Sequence, residues 1–285
     1  MTSPELRFVD ANGLRFAYFE EGPADGPLVL LLHGFPDTAH TWDAARPALA
    51  AAGYRAVTPF MRGYHPTAIP RDGRYDVDTL GHDAGALIEA LGAEKAALVG
   101  HDWGAGAAYA AAHLSPQRIA FLVTVAIPHM GSLRPSPRLV WGARHFLQFR
   151  RRSAEAQLAA NDFAYVDELV RRWSPVWDVP PGETAAVKEV LRQPGCAAAA
   201  LGYYRAVKFP PPASLRHRIR VPAAVFAGTD DRLVLIGDYE HSRRFYLAGC
   251  EIVKMPGGHF MHREHPARFN AELLRLLESN FKQSK

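Results

Sequence analysis

Cysteine is nearly missing from this chain, with only Cys196 and Cys250 present. Two cysteines so far apart cannot build a disulfide framework or a thiolate metal centre, they imply no cofactor, and they suit a reducing compartment. Long apolar runs are missing too: none approaches the ~18–20 residues that a bilayer-spanning helix needs. The stretch Met1 to Asn12 lacks the charged-then-apolar pattern of a secretory signal. A cytoplasmic protein without membrane contact is expected. Charge of one sign is scarce, since 33 lysines and arginines face 29 acids for a net +4. The one basic cluster, Arg150-Arg151-Arg152, is short enough to be a solvated face, so nucleic acid is not an expected partner. Internal repeats are absent, and the only biased tracts are alanine-rich patches that helix propensity explains.

What is present is apolar residue in quantity, 48% of 285 positions, enough for one large core. Short apolar runs at Leu28 to Leu32, Arg55 to Thr58, Ala96 to Val99, Ile119 to Ala126, Ala223 to Ala227 and Glu251 to Met255 alternate with amphipathic stretches. This rhythm predicts an α/β fold, a mostly parallel sheet covered by helices. Val77, Leu80, Ala84, Leu87, Ile88 and Leu91 share one helical face, as do Phe269, Leu273, Leu276 and Leu277, and both faces should pack on the sheet. From His129 to Arg218 the rhythm breaks into helical patterns rich in tryptophan, arginine and proline. The expected organisation is a core in two parts, 1–128 and 219–285, with a helical lid, 129–218, inserted between them. Pro210-Pro211-Pro212 is a stiff lead back into the core.

The most informative stretch is Gly100-His101-Asp102-Trp103-Gly104, between a strand-like run and the helix-like Ala105 to His113. A nucleophile elbow has this form, because a turn so tight needs small flanking residues and pushes its central side chain into the open. Serine usually stands there and needs a histidine to take its proton. Asp102 is already charged, is a poor nucleophile towards carbonyls, and suits displacement at a saturated carbon bearing a strained or good leaving group. The product would be an alkyl ester of the protein that water must cleave. Taken alone, Asp102 could equally be a helix cap.

Two further features bear on that choice. His33-Gly34-Phe35-Pro36 follows the first strand run directly, where an elbow enzyme places one N–H of its oxyanion hole. Phe35 and Trp103 would be the two backbone donors. Asp231, in Gly228-Thr229-Asp230-Asp231, and His259, in Gly257-Gly258-His259-Phe260, come after the last two strand runs in the order nucleophile, acid, histidine. His259 would take a proton from the attacking water, and Asp231 would orient its ring. Asp230 is the rival acid. His241, His262 and His265 are expected to be surface or packing residues.

With these motifs the chain resembles the epoxide hydrolase branch of the α/β-hydrolase family, which shares its aspartate elbow with haloalkane and haloacetate dehalogenases. The likeness runs through His33 to Pro36, Met61-Arg62-Gly63-Tyr64, Gly100 to Gly104, Gly228 to Asp231, and Gly258-His259-Phe260 to His265-Pro266. It implies two lid side chains that donate hydrogen bonds to the epoxide oxygen. Tyr204, in Gly202-Tyr203-Tyr204-Arg205, matches the second, and His145 stands where the first is usually tyrosine. Some relatives carry the acid after the strand that precedes the lid, but Leu122 to Pro128 holds no carboxylate, which leaves Asp231. The implied substrate is a small apolar epoxide, with water as co-substrate and no metal or organic cofactor. It would lie among Phe35, Pro36, Trp103, Trp141, Phe146 and Phe149. The chain is expected to be a monomer or homodimer.

A dehalogenase would use the same Asp102 and His259 but needs N–H donors for halide, from the Trp103 indole with Trp141, Trp173 or Trp177. Against it, Phe35 stands where haloalkane dehalogenases usually have asparagine. Trp103 and Gly106 stand where haloacetate dehalogenases have arginines. A non-catalytic ligand-binding protein of the same fold is the alternative of another class, and an esterase or lyase is the remaining enzymatic one.

Overall fold

The computed structural model describes residues 4–133 and 136–281. Eight strands form one sheet: β1 (Leu6–Ala11), β2 (Leu14–Glu21), β3 (Leu28–Leu32), β4 (Arg55–Pro59), β5 (Ala96–His101), β6 (Ile119–Val125), β7 (Ala223–Gly228) and β8 (Cys250–Met255). The six strand runs read from sequence all appear, within a residue or two at each end. The first two strands are the addition. Asn12-Gly13 carries the chain from β1 into β2 with φ of 47° and 71°, the positive values that a tight hairpin turn requires.

Strands lie in the order β1-β2-β4-β3-β5-β6-β7-β8. β1 with β2 and β2 with β4 are antiparallel, and the other pairs are parallel. From β3 the chain moves outward to β4, then returns to place β5 on the other side of β3. The switch point therefore falls between β3 and β5, where open α/β sheets form their sites at the carboxyl ends of the strands.

Helices α1 (Ala45–Ala51), α2 (Val77–Ala90) and α3 (Trp103–Leu114) follow β3, β4 and β5. Between β6 and β7 come α4 (Pro137–Gly142), α5 (Arg144–Phe149), α6 (Ala154–Trp173), α7 (Ala185–Arg192), α8 (Cys196–Arg205) and α9 (Ala213–Arg216). α10 (Ile236–Ser242) follows β7, and α11 (Met261–Glu264) and α12 (Pro266–Asn280) follow β8. The period of two along each central strand divides the core. Leu30, Leu98 and Leu122 face Leu80, Ala84, Leu87 and Ile88 of α2, while Leu31, Val99 and Val123 belong with Leu49 of α1 and Phe269, Leu273 and Leu276 of α12. Both helical faces read from the sequence are buried. Among the described residues, no helix is long and apolar enough to cross a membrane.

Candidate active site

β5 ends at His101 and α3 starts at Trp103, so Asp102 alone makes the reversal, at φ 51° and ψ −115°. Few residues other than glycine hold such a backbone, and the surrounding packing must enforce it. The flanking glycines are required by space: a Cβ on Gly100 would lie 2.2 Å from the Gly104 carbonyl oxygen, and one on Gly104 would lie 2.3 Å from that of Leu32. The Asp102 side chain makes no capping bond to α3. Its Oδ1 accepts instead from the Phe35 backbone N–H, 2.9 Å away. The cap alternative therefore does not describe this residue, and the carboxylate is turned across the switch point towards the loop after β3.

Oδ2, the other oxygen, stands 3.4 Å from His259 Nε2, an ion-pair approach rather than a formed hydrogen bond. Burial works against ionisation of Asp102, but His259, His101 and the Phe35 N–H outweigh it and hold the acid below its ordinary value. For His259, burial pushes down while Asp102 foremost, then Asp231 and Glu264, push up, and the net direction is up. The His259 backbone is fixed on both sides, its N–H donating to the Trp173 carbonyl and its carbonyl accepting from His101 Nε2 at 3.0 Å each.

The two candidate acids separate clearly. Asp231 is buried; its Oδ1 accepts from the Leu233 and Val234 N–H groups at 2.7 and 3.0 Å, while Oδ2 has no hydrogen-bond partner among the described residues. Burial raises its pKa, and the charge of His259 opposes that rise. Asp230 is committed elsewhere, Oδ2 taking the Gly257 N–H at 2.9 Å and the Thr229 hydroxyl at 3.2 Å. Of these two, Asp231 is the one whose charge raises the pKa of His259.

His33 explains two motifs at once. The Met61 N–H donates to its Nε2 at 2.9 Å, so Nδ1 carries the proton of the neutral ring and donates to the Gly34 carbonyl, also at 2.9 Å. Burial pushes this imidazole down to about 4, which keeps it neutral. It thereby clamps the peptide next to Phe35 to the loop after β4. That loop is anchored by a buried bidentate pair, Arg62 to Asp83, with both contacts at 2.7 Å. Replacing Asp83 with alanine leaves the buried Arg62 guanidinium only the exposed Asp72, 3.7 Å away, and is expected to cost about 3–5 kcal/mol, measured by denaturant unfolding against wild type.

Tyr204 and His145 are ring neighbours, and both feel the charge of Asp102. The Tyr204 ring packs edge-on against Phe35, Trp103, Phe146 and Phe149, with centroids 4.8–5.4 Å apart. Burial pushes its hydroxyl well above the ordinary value, which keeps it protonated and able to donate. His145 lies 5.6 Å from Tyr204 and 5.0 Å from Trp173, whose ring is in turn 5.3 Å from His259. Pro36 is buried beside Phe35. Trp141, expected from sequence among the lining aromatics, is a correction: it is 70% exposed on α4, beneath the guanidinium of Arg144, because this short helix turns that face to solvent. Trp173, considered from sequence only as a halide donor, holds a central place. As a lone tryptophan near a helix end it carried no signal for that role.

One buried group has metal-binding residue types. Asp37, His101 and His262 bring one donor atom each within 4.8 Å of one another. Asp37 already accepts from Thr38 N–H and Arg263, and His101 donates to the His259 carbonyl, so these groups tie the elbow to the loops after β3 and β8. His262 is a packing residue, against Trp42 and Phe269 and bonded to Thr41.

Comparison with known proteins agrees with this architecture. The family model for the alpha/beta hydrolase fold matches residues 27–266. The AB hydrolase superfamily protein YfhM of Bacillus subtilis is 30% identical over 98% of this chain and 100% of its own length. Epoxide hydrolase A of Mycobacterium tuberculosis is 28% identical over 97% of this chain and 98% of its own. Among solved structures, an epoxide hydrolase from Vigna radiata superposes with a TM-score of 0.82 at 26% identity, covering 97% of this chain and 98% of that one. Epoxide Hydrolase A from Mycobacterium thermoresistibile gives 0.80 at 26% identity, covering 97% and 98%. The chain belongs to the alpha/beta hydrolase fold family, on the branch that holds the epoxide hydrolases.

Proposed function

We propose that this protein hydrolyses epoxides to vicinal diols through an ester on Asp102. The observation that carries the reading is the division of labour between the two oxygens of that carboxylate: Oδ1 is held by Phe35 N–H, and Oδ2 is left towards His259. Oδ2 attacks a ring carbon, the C–O bond breaks, and its electron pair goes to the ring oxygen, which takes the Tyr204 proton. Oδ1 becomes the ester carbonyl oxygen. His259, steadied by Asp231, then removes a proton from water, and the hydroxide adds to the ester carbon. The negative charge that develops on Oδ1 meets the Phe35 N–H already in place, joined by Trp103 N–H at the start of α3. Collapse releases the diol oxygen, and the protons on His259 and on the regenerated carboxyl return to the Tyr204 phenolate and the departing alkoxide.

Residues 129–218 act as a lid in this reading. Asp102 and His259 side chains are only 15% and 9% exposed, so substrate must enter by movement of the helices between β6 and β7. The Trp103 indole, which a dehalogenase would turn to halide, packs edge-on against the Tyr204 ring with centroids 5.1 Å apart. The test is product analysis: aryl and alkyl epoxides should yield diols, and haloalkanes should release no halide. Halide release without diol formation would replace this reading with the dehalogenase one. Tyr204→Phe is expected to slow ester formation by about 10²–10³-fold, read by rapid-quench mass spectrometry. Ester formation at the wild-type rate would remove Tyr204 from the mechanism.

A further inference from the structure

His145 sits where the resemblance calls for a hydrogen-bond donor, yet its hydrogen bonding points the other way. Nδ1 lies 2.9 Å from the carbonyl of Gly142, the last residue of α4. A carbonyl can only accept, so Nδ1 carries a proton in every state that keeps this bond. A neutral imidazole has one N–H. Nε2, on a ring whose centroid lies 5.6 Å from that of Tyr204 and 5.0 Å from that of Trp173, is then a bare lone pair. Nε2 gains a proton only when the whole ring becomes a cation. Burial pushes the ring down to about 4; the Gly142 carbonyl and the Asp102 carboxylate pull upward without prevailing, and Arg172 and His259 add to the downward push.

We propose that His145 presents an acceptor, not a donor, to the reacting centre, and that the site therefore selects epoxides with a hydroxyl or N–H group on the carbon next to the ring, the class of 2,3-epoxy alcohols. This rests on the epoxide reading above. Ring opening is then assisted by the Tyr204 hydroxyl alone, and the substrate's neighbouring O–H donates to His145 Nε2, which places the ring for attack by Asp102. The same acceptor would hold one hydroxyl of the diol before release.

The test uses the His259→Gln protein, in which the ester accumulates and the histidine beside the nucleophile no longer titrates. Phenylglycidol and its methyl ether are the probes, with ester formation followed by rapid-quench mass spectrometry. At pH about 7 the alcohol should react about tenfold faster than the ether, corresponding to about 1.4 kcal/mol. Adding His145→Phe should bring that ratio close to one by removing the alcohol's advantage. A ratio near one before the substitution, or a ratio that survives it with both substrates slowed together, overturns the proposal.

No ester from either epoxide at any pH overturns the epoxide reading and this one together, whereas ester without preference for the alcohol overturns this one alone.

Discussion

The Asp102→Asn protein is expected to lose turnover by about 10⁴-fold or more while unfolding at nearly the wild-type temperature. The amide oxygen of asparagine can still accept the Phe35 N–H, so the strained elbow keeps the contact that holds its side chain. It lacks the charge that attacks carbon, and no neighbour supplies a substitute nucleophile. His259 is a base positioned 3.4 Å from Oδ2, and Tyr204 is a phenol that burial keeps protonated. Steady-state diol formation together with a thermal melt checks both halves of the prediction. Activity within tenfold of wild type would mean that water attacks the epoxide directly.

The His259→Gln protein should separate the two chemical steps. Removing the base is expected to cut turnover by about 10²–10⁴-fold without preventing attack by Asp102, which needs no proton removed. One equivalent of epoxide should therefore bind covalently in a burst, seen as an intact-protein mass increase equal to the whole epoxide, followed by almost no diol. His259 is buried and its charge helps to keep Asp102 ionised, so the burst should also be slower than in wild type. A variant that turns over without an accumulating ester would place the base elsewhere.

The fold was legible because each central strand is bounded by turn residues and buries both faces, which gives short continuous apolar runs rather than a faint alternation. β1 and β2 were less legible. β1 is a wet edge strand, with Phe8 at 43% exposure, and β2 mixes its buried Phe16 to Phe19 with the polar Arg15, Glu20 and Glu21. In the site, residues fixed by the sheet could be located from sequence: Asp102, Phe35, Asp231 and His259 each follow a strand at its carboxyl end. Residues delivered by the helices between β6 and β7 could not be located in the same way. Nothing local distinguishes Trp141, which faces solvent, from Trp173, which packs on His259, because both lie on helices whose facing depends on long-range packing. Likewise no pattern in Arg144 to Phe149 reveals that His145 bends back to the Gly142 carbonyl, a bond that fixes its tautomer and with it the direction of every other bond it makes.

The most direct test of the ester on Asp102 is a single turnover in oxygen-18 water, with protein in excess over epoxide. Water that attacks the ester carbon leaves its oxygen in the carboxylate, so the label should appear in the peptide that contains Asp102 and the diol should carry none. Label in the diol with an unlabelled Asp102 would contradict the account, because it would mean that water opens the epoxide itself and that Asp102 serves only as a base.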